Sequence, residues 1–128
     1  MILLNNRKVK QGYSDKFSLT FDKETRSESG LIFREPMDIT GWKFELFFHK
    51  DVEMKCSDML FGLKGDVLDG KSGKVYFRIP DYQTNRTPGN YWYTLQITKP
   101  NKSVTRSESA KFIITESLNP YFSIYKKK

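Results

Sequence analysis

Three residue types are nearly absent from this chain of 128 residues. Alanine, the residue with the highest helix propensity, occurs once, at Ala110. Histidine and cysteine also occur once each, at His49 and Cys56. A single cysteine excludes an intrachain disulfide, and a single histidine excludes sites built from several histidines. We therefore interpret Cys56 as an inert, half-buried thiol and His49 as a surface histidine on the outward face of its strand.

Long hydrophobic runs are also missing. No stretch approaches the length of a membrane span, and the start, MILLNNRKVK, holds too short an apolar run for a signal peptide. We therefore expect a soluble protein made in a cytoplasm, with no membrane partner. The net charge is +7, and three of these charges belong to Lys126, Lys127 and Lys128. The net positive charge of the rest of the chain is modest, so no nucleic-acid partner is expected.

Aromatic residues, in contrast, make up 15% of the chain, and phenylalanine and tyrosine favour strands. Five segments alternate between apolar and polar residues. They are KFSLTF (16–21), WKFELFFH (42–49), KVYFRI (74–79), NYWYTLQIT (90–98) and SAKFIIT (109–115). Alternation that buries one face is typical of antiparallel sheets packed face to face. The predicted fold is an all-β, antiparallel sandwich of about 7–9 strands.

Less regular segments lie between these strands. FDKETRSESGLIFREP (21–36) predicts a long hairpin or loop, because it is polar and lacks the two-residue period. MKCSDMLFGL (54–63) predicts a short strand near residues 59–63. PDYQTNRTPG (80–89) is expected to hold one helical turn.

One stretch, GDVLDGKS (65–72), fits the nucleotide-binding pattern G-x-x-x-x-G-K-[ST]. In such a loop a helix begins at the Lys-Ser pair, and its first amides hold the phosphates. Here Gly73 and an alternating segment follow Ser72, which predicts a strand instead. We therefore interpret the stretch as a hairpin turn, with Asp66 and Asp69 as turn formers rather than cation ligands. No catalytic residue, metal or cofactor is expected.

The order of the segments resembles a known family. QGYSDKFSLTF is followed by MDITGWKFELFFHKD, then by GKSGKVYFRIPDYQTNRTPGNYWYTLQIT, and then by SVTRSESAKFIITESL. Over residues 11–118 this order resembles the immunoglobulin-like domains of tailed-phage structural proteins, most closely the N-terminal domain of the baseplate upper protein family. The features that carry the resemblance are the D-[IL]-T-G-aromatic segment at 38–42, the strand at 73–79, and P-G-x-Y-x-Y-x-L-x-I at 88–97.

The resemblance implies an immunoglobulin-like β-sandwich that is a non-catalytic structural part of a virion, assembled in the cytoplasm of a bacterial host. It implies other virion proteins, or further copies of this chain, as partners. A tail or baseplate adaptor, a decoration protein and a host-encoded prophage remnant all stay open as roles. A tyrosine corner, in which a tyrosine hydroxyl binds the loop before its strand, is expected at Tyr91 or Tyr93.

One predicted partner surface lies on the sheet. Strict alternation points Phe47, Trp92 and Ile113 outward, on strands that are neighbours in an immunoglobulin-like order. Together they would form an apolar patch of the kind that marks interfaces. The alternative is that the segment 22–36 or the C-terminal end of the chain covers the patch.

A second predicted partner surface is the C-terminal arm. We divide the chain into a sandwich domain, 1–118, and an aromatic and basic arm, 119–128. The arm carries Tyr121, Phe122 and Tyr125. It would add a strand to a neighbouring subunit, fold back on its own domain, or remain disordered.

Two other functions stay open. A glycan-binding module would use Trp92 with Tyr76 or Tyr82 as an aromatic platform for a sugar, including a sugar on a host cell surface. An isolated, exposed tryptophan with polar neighbours would favour the sugar-binding function, whereas a buried patch would favour the assembly function. An enzyme would use the 65–72 loop. Because we interpret that loop as a turn, we expect Lys71→Ala to leave folding unchanged.

Overall fold

The computed structural model describes residues 4–26, 28–52 and 58–116. Within them the chain forms ten strands, one short α-helix and one 3₁₀ turn. The strands are β1 (Arg7–Lys10), β2 (Asp15–Thr20), β3 (Asp22–Arg26), β4 (Ile32–Pro36), β5 (Lys43–His49), β6 (Met59–Lys64), β7 (Lys74–Ile79), β8 (Gly89–Thr98), β9 (Val104–Arg106) and β10 (Ala110–Thr115). The helix α1 spans Asp81–Thr84, which confirms the single helical turn expected there.

The strands form a sandwich with one additional hairpin. A six-stranded sheet has the order β1-β10-β8-β5-β6, with β9 paired to the end of β8. The second sheet contains β2 and β7, and the hairpin is the pair β3 and β4. The all-β sandwich is therefore confirmed, as are the hairpin within 21–36 and the strand near 59–63.

Two strands were not expected from the sequence. In β1 only Val9 is buried, and in β9 no residue is buried, so neither strand has an apolar period to reveal it. The pairing of β1 with β10 is parallel, with Arg7 opposite Phe112. The expectation of a purely antiparallel sandwich was wrong at this edge, because main-chain pairing rather than side-chain alternation positions β1.

Alternation decides which residues enter the core between the two sheets. In β7 every second residue is buried and every other one is exposed, and β5 follows the same period as far as Phe48. The core is aromatic and aliphatic, and its buried members from β5, β7 and β8 are Phe44, Leu46, Phe48, Val75, Phe77, Ile79, Tyr93, Leu95 and Ile97.

Phe48 occupies the centre of an aromatic cluster in this core. Its ring stacks on Phe61 with centroids 4.3 Å apart, and on Tyr93 at 5.7 Å. The ring of Phe112 meets it edge-on at 4.9 Å. These residues come from β5, β6, β8 and β10, so one cluster connects four neighbouring strands of the six-stranded sheet.

A tyrosine corner ties β8 to the loop that precedes it. The hydroxyl of Tyr91 donates a 2.6 Å hydrogen bond to the carbonyl oxygen of Thr87, four residues earlier. Of the two tyrosines predicted for this position, Tyr91 is therefore confirmed. Tyr93, two residues on, is 1% exposed and donates its hydroxyl hydrogen to the carbonyl oxygen of Asn5.

Candidate functional site

The outer face of the six-stranded sheet brings together the three residues predicted to form a patch. Because β10, β8 and β5 are adjacent, Phe47, Trp92 and Ile113 follow a diagonal across three strands. Diagonal neighbours in an antiparallel sheet lie about 7–8 Å apart, within reach of aromatic side chains. All three are half-buried. The strand registers define this diagonal. Phe47 lies opposite Thr94, Trp92 lies opposite both His49 and Lys111, and Ile113 lies opposite Asn90.

His49 lies beside this diagonal and is not a surface histidine; that prediction was wrong. Its side chain is 0% exposed. Since a carbonyl oxygen only accepts, Nδ1 donates to the carbonyl of Asp51, and in the neutral ring Nε2 accepts from Thr94 Oγ1 at 2.9 Å. His49 does keep the outward-facing position that alternation predicts, opposite Trp92, but its contacts with Thr94 and with the main chain at Asp51 bury it there, which alternation alone does not reveal.

A chain of hydrogen bonds continues from His49 along the same face. Thr94 is 4% exposed, and its hydroxyl lies 3.1 Å from the hydroxyl of Ser109. This arrangement differs from a catalytic triad in two ways. Ser109 contacts Thr94 rather than the imidazole, and Asp51 contributes its main-chain carbonyl rather than its carboxylate. The chain of bonds ties β5 and β8 to the start of β10, so it gives the patch a rigid base.

Lysines surround the diagonal. Lys111 Nζ lies 5.9 Å from the centre of the Trp92 ring, a cation–π distance. Lys8 is exposed and lies opposite Ile113 in the parallel pair, and the exposed Lys50 follows His49 directly. The surface formed by Phe47, Trp92 and Ile113, called the patch below, therefore has an apolar centre, with lysines beside Trp92 and Ile113 and with Glu45 on the same face as Phe47.

The hairpin β3–β4 joins the sandwich away from the patch. It leads through residues 37–42 into Lys43, which lies opposite Thr98 at one end of β5. Trp92 lies opposite His49 at the other end of β5. The alternative in which 22–36 covers the patch therefore has no support from the strand register. The arm residues Tyr121, Phe122 and Tyr125, and also Cys56, lie outside the described residues.

The aromatic platform proposed for a sugar does not form as expected. Trp92 lies on the outer face of the six-stranded sheet, whereas Tyr76 lies on β7 in the other sheet. Both side chains point away from the core, so they occupy opposite sides of the sandwich, and their pairing in one platform was a wrong prediction. Tyr82, on α1, is 69% exposed.

A shallow pocket instead surrounds Tyr76 on the outer face of the β2–β7 sheet. It has a volume of about 330 Å³, and Lys16, Ser18, Asp66, Tyr76 and Arg78 contribute polar groups to its lining. Lys16 lies directly opposite Arg78 in the register, and Ser18 lies opposite Tyr76. The ring of Tyr76 is 41% exposed. Two cations therefore face each other beside an accessible aromatic ring.

The 65–72 segment is a turn, as the sequence indicated. Its last three residues form a single 3₁₀ turn, Gly70–Ser72, and β7 begins at Lys74. Asp69 Oδ1 accepts a 3.1 Å hydrogen bond from the amide of Lys71, and the carbonyl of Asp69 accepts from the amide of Ser72. Two of the amides that would hold a phosphate in a P-loop are thus bonded to Asp69. Gly73 has φ of 70°, a left-handed conformation that suits glycine.

We expect Asp69→Ala to lower the free energy of unfolding by about 1 kcal/mol, because the capping acceptor is lost. Lys71→Ala should change it by less than about 0.5 kcal/mol, since the Lys71 side chain is exposed. Urea denaturation measures both. A nucleotide titration of the wild type, with Lys71→Ala as the comparison, tests the turn interpretation directly. Nucleotide binding that disappears in Lys71→Ala would contradict it.

Within residues 4–26, 28–52 and 58–116, no group of three His, Cys, Asp or Glu side chains is arranged to hold a metal ion. In the same ranges no helix has both the length and the apolar character needed to cross a membrane. The sequence matches no protein-family model and no curated protein. Function therefore has to be argued from the surfaces of the sandwich.

Proposed function

We propose that this protein is a non-catalytic structural module of a phage virion, an adaptor or attachment module of the tail or baseplate, which assembles with further copies of itself through the patch. The observation that carries the proposal is the diagonal of Phe47, Trp92 and Ile113 across three adjacent strands. The resemblance of the segment order to immunoglobulin-like domains of phage structural proteins supports the virion context.

The patch presents large apolar side chains on paired strands that hydrogen bonds hold together. Tryptophan is among the residues that most often contribute a large share of the binding free energy at protein interfaces, and polar residues commonly form the rim around such positions. The three side chains project from paired strands, and the His49–Thr94 hydrogen bond fixes two of those strands to each other. Little conformational entropy is therefore lost when a partner binds.

The proposal is tested by the oligomeric mass in solution, measured by light scattering across a concentration series. We expect the wild type to form a defined oligomer, and Trp92→Ser to weaken its association by about tenfold or more. Tyr76→Ser is the matched control, because it removes an exposed aromatic ring from the opposite sheet. A wild type with the mass of one chain at every concentration would contradict the proposal, as would equal effects of the two substitutions.

A second candidate function is recognition of a glycan, and the pocket around Tyr76 favours it. Neither Lys16 nor Arg78 takes part in an ion pair in the part of the chain that the structure describes, where the ion pairs are Arg7–Asp15 and Arg34–Glu24. Two cations beside an exposed ring fit an acidic saccharide, whose carboxylate or phosphate binds the cations while a sugar face packs on the ring.

A glycan array with acidic saccharides tests this second candidate. Binding should fall by about tenfold or more in Tyr76→Ala and remain unchanged in Tyr82→Ala, which removes an exposed tyrosine elsewhere. The oligomeric mass should be the same in both variants. If the array shows binding that is insensitive to Tyr76, or no binding at all, the pocket is not the site of a glycan.

A further inference from the structure

The two sheets of the sandwich end in four strands, β1 and β6 in the first sheet and β2 and β7 in the second. Soluble proteins block such edges against pairing with other chains. β1 has only four residues, and Lys8 and Lys10 are exposed on it. In β6 the register with β5 skips Leu60, an irregularity of the bulge type. β7 is bridged at Tyr76 by Asp66. In contrast, β2 pairs regularly over all six residues, and its last four residues carry no charge.

The open side of β2 presents main-chain hydrogen-bonding groups. In an antiparallel pair, residues that bond the partner strand alternate with residues whose main chain points away from it. The amide of Phe21 donates to the carbonyl of Gly73 at 2.8 Å and continues the β2–β7 register. The odd-numbered residues of β2 therefore bond β7, and no main-chain bond reaches the even-numbered ones from the ranges that the structure describes. These even-numbered residues are Lys16, Ser18 and Thr20.

The core is incompletely covered at the same edge. Val75 and Phe77, which point inward from β7, are at most 2% exposed. Leu19 and Phe17 lie opposite them on β2 and are only half-buried. The ring of Phe17 stacks on Phe77 with centroids 5.5 Å apart, and the guanidinium of Arg7 lies 4.0 Å from its centre. A further strand beside β2 would remove the accessible sides of Phe17 and Leu19 from water, which is favourable.

The sequence after β10 has the pattern that such a strand requires. Residues 121–125 read YFSIY and contain neither a charge nor a proline. Alternation places Phe122 and Ile124 on one side, and the tyrosines and the serine on the other. A strand added to β2 needs two apolar residues, two positions apart, to lie beside Phe17 and Leu19. The segment 121–125 supplies both.

The topology favours the arm of a second copy over the arm of the same chain. The described residues end at Glu116, just after β10, and β1 lies outside β10 in the sheet. The connection 11–14 runs from β1 to β2 at this end, where the amide of Gln11 donates to the carbonyl of Thr115. The open side of β2 faces the β1 side of the sandwich, because Asp66, which follows β6, bridges β7 on the other side. To reach its own β2, the arm would cross the connection 11–14, and connections at one end of a sheet avoid crossing.

We propose that residues 121–125 of one copy pair, as an added strand, with the open side of β2 in a second copy. The main chain of the arm bonds Ser18 and its even-numbered neighbours, and the two inward side chains of the arm cover Phe17 and Leu19. The second sheet then has three strands. This contact goes beyond the proposed function, because β2 lies in the other sheet from the patch and the contact does not use Trp92.

Fluorescence anisotropy tests the contact with a labelled peptide of residues 117–128 and full-length acceptor chains. Every acceptor carries Phe122→Ser with Ile124→Ser, so that its own arm does not compete. We expect Ser18→Pro in the acceptor to weaken peptide binding by about tenfold or more, because proline removes an outward amide and its ring obstructs a partner strand. Ser18→Ala, the matched control, keeps the amide and should bind the peptide as the parent acceptor does. Equal urea midpoints show that the acceptors are folded.

Variant peptides test which side of the arm faces the core. A peptide with Phe122→Ser and Ile124→Ser should bind the parent acceptor about tenfold or more weakly. A peptide with Tyr121→Ser and Tyr125→Ser should lose less than about threefold, because these side chains point away from the core. The peptides need no folded state of their own, so this comparison holds even if Ser18→Pro destabilises the acceptor. Equal losses for the two peptides would overturn the strand pairing.

The outcomes separate this contact from the patch. Peptide binding that is lost in a Trp92→Ser acceptor but kept in Ser18→Pro would place the arm on the patch and overturn the inference. Absence of peptide binding also overturns it, while Trp92-dependent assembly of the full chain still stands. At a dilution where light scattering gives the mass of one chain, the wild type should bind the peptide as the parent acceptor does. A diluted wild type that does not bind would hold its own arm, which overturns the second-copy contact.

Discussion

Replacing Phe48 with alanine is expected to lower the free energy of unfolding by about 3–5 kcal/mol, the cost typical of removing a buried phenylalanine. Phe48 is 1% exposed, and its ring contacts three other aromatic rings, from β6, β8 and β10. The loss has two parts, the transfer of the ring to water and the cavity left behind. Domains of this size have about 5–15 kcal/mol of stability in total, so much of the population should unfold on mild warming.

The adjacent residue provides the control. Phe47 has the same side chain, but it is half-buried on the outer face of the sheet. Phe47→Ala should therefore cost about 1 kcal/mol. Urea denaturation, followed by tryptophan fluorescence and circular dichroism, measures both variants under conditions where the wild type is folded. Equal losses would contradict the assignment of the two faces of β5.

The second large effect is a loss of stability at alkaline pH that depends on Tyr93. Burial raises the pKa of Tyr93 to about 12, from an ordinary value of 10.0. The nearby Arg7 lowers this pKa, but less than burial raises it. The buried phenol therefore stays protonated in the folded chain at a pH where the unfolded chain has already released its proton.

The direction of the pKa shift of Tyr93 determines whether stability rises or falls with pH. When a group has a higher pKa in the folded chain than in the unfolded chain, its contribution to stability is complete at pH values below the unfolded-state pKa. That contribution is lost as the pH rises through the folded-state pKa. The window therefore runs from about pH 10 to about pH 12. Between about pH 8.5 and about pH 11.5, Tyr93 should account for a loss of about 2 kcal/mol in the free energy of unfolding.

Tyr93→Phe isolates this contribution from the other groups that titrate in the same range. Without the phenol, the variant loses its hydrogen bond to the Asn5 carbonyl and starts from a lower stability. Its stability should then fall less steeply between the two pH values than that of the wild type. Urea denaturation at both pH values gives the difference. Parallel curves for the two proteins would show that Tyr93 titrates alike in the folded and unfolded chains.

Much of the fold follows from short-range patterns. The five alternating segments became β2, β5, β7, β8 and β10, each at nearly the predicted position, because a strand buried on one face must repeat every two residues. The same period placed Phe47, Trp92 and Ile113 on the outward face. The turn at 65–72 was also predictable, since glycine and a strand after Ser72 are incompatible with a helix start.

The sequence by itself therefore determined the class of the fold, the face on which each side chain of the main strands lies, and the turns between them. The tertiary structure alone decided which strands are neighbours and in what register. It joined the three outward residues into one patch, separated Trp92 from Tyr76, added the parallel strand β1, and buried His49 on the outer face beside Thr94. The physical reason is that alternation is a local property of a strand, whereas pairing depends on main-chain hydrogen bonds between residues far apart in sequence.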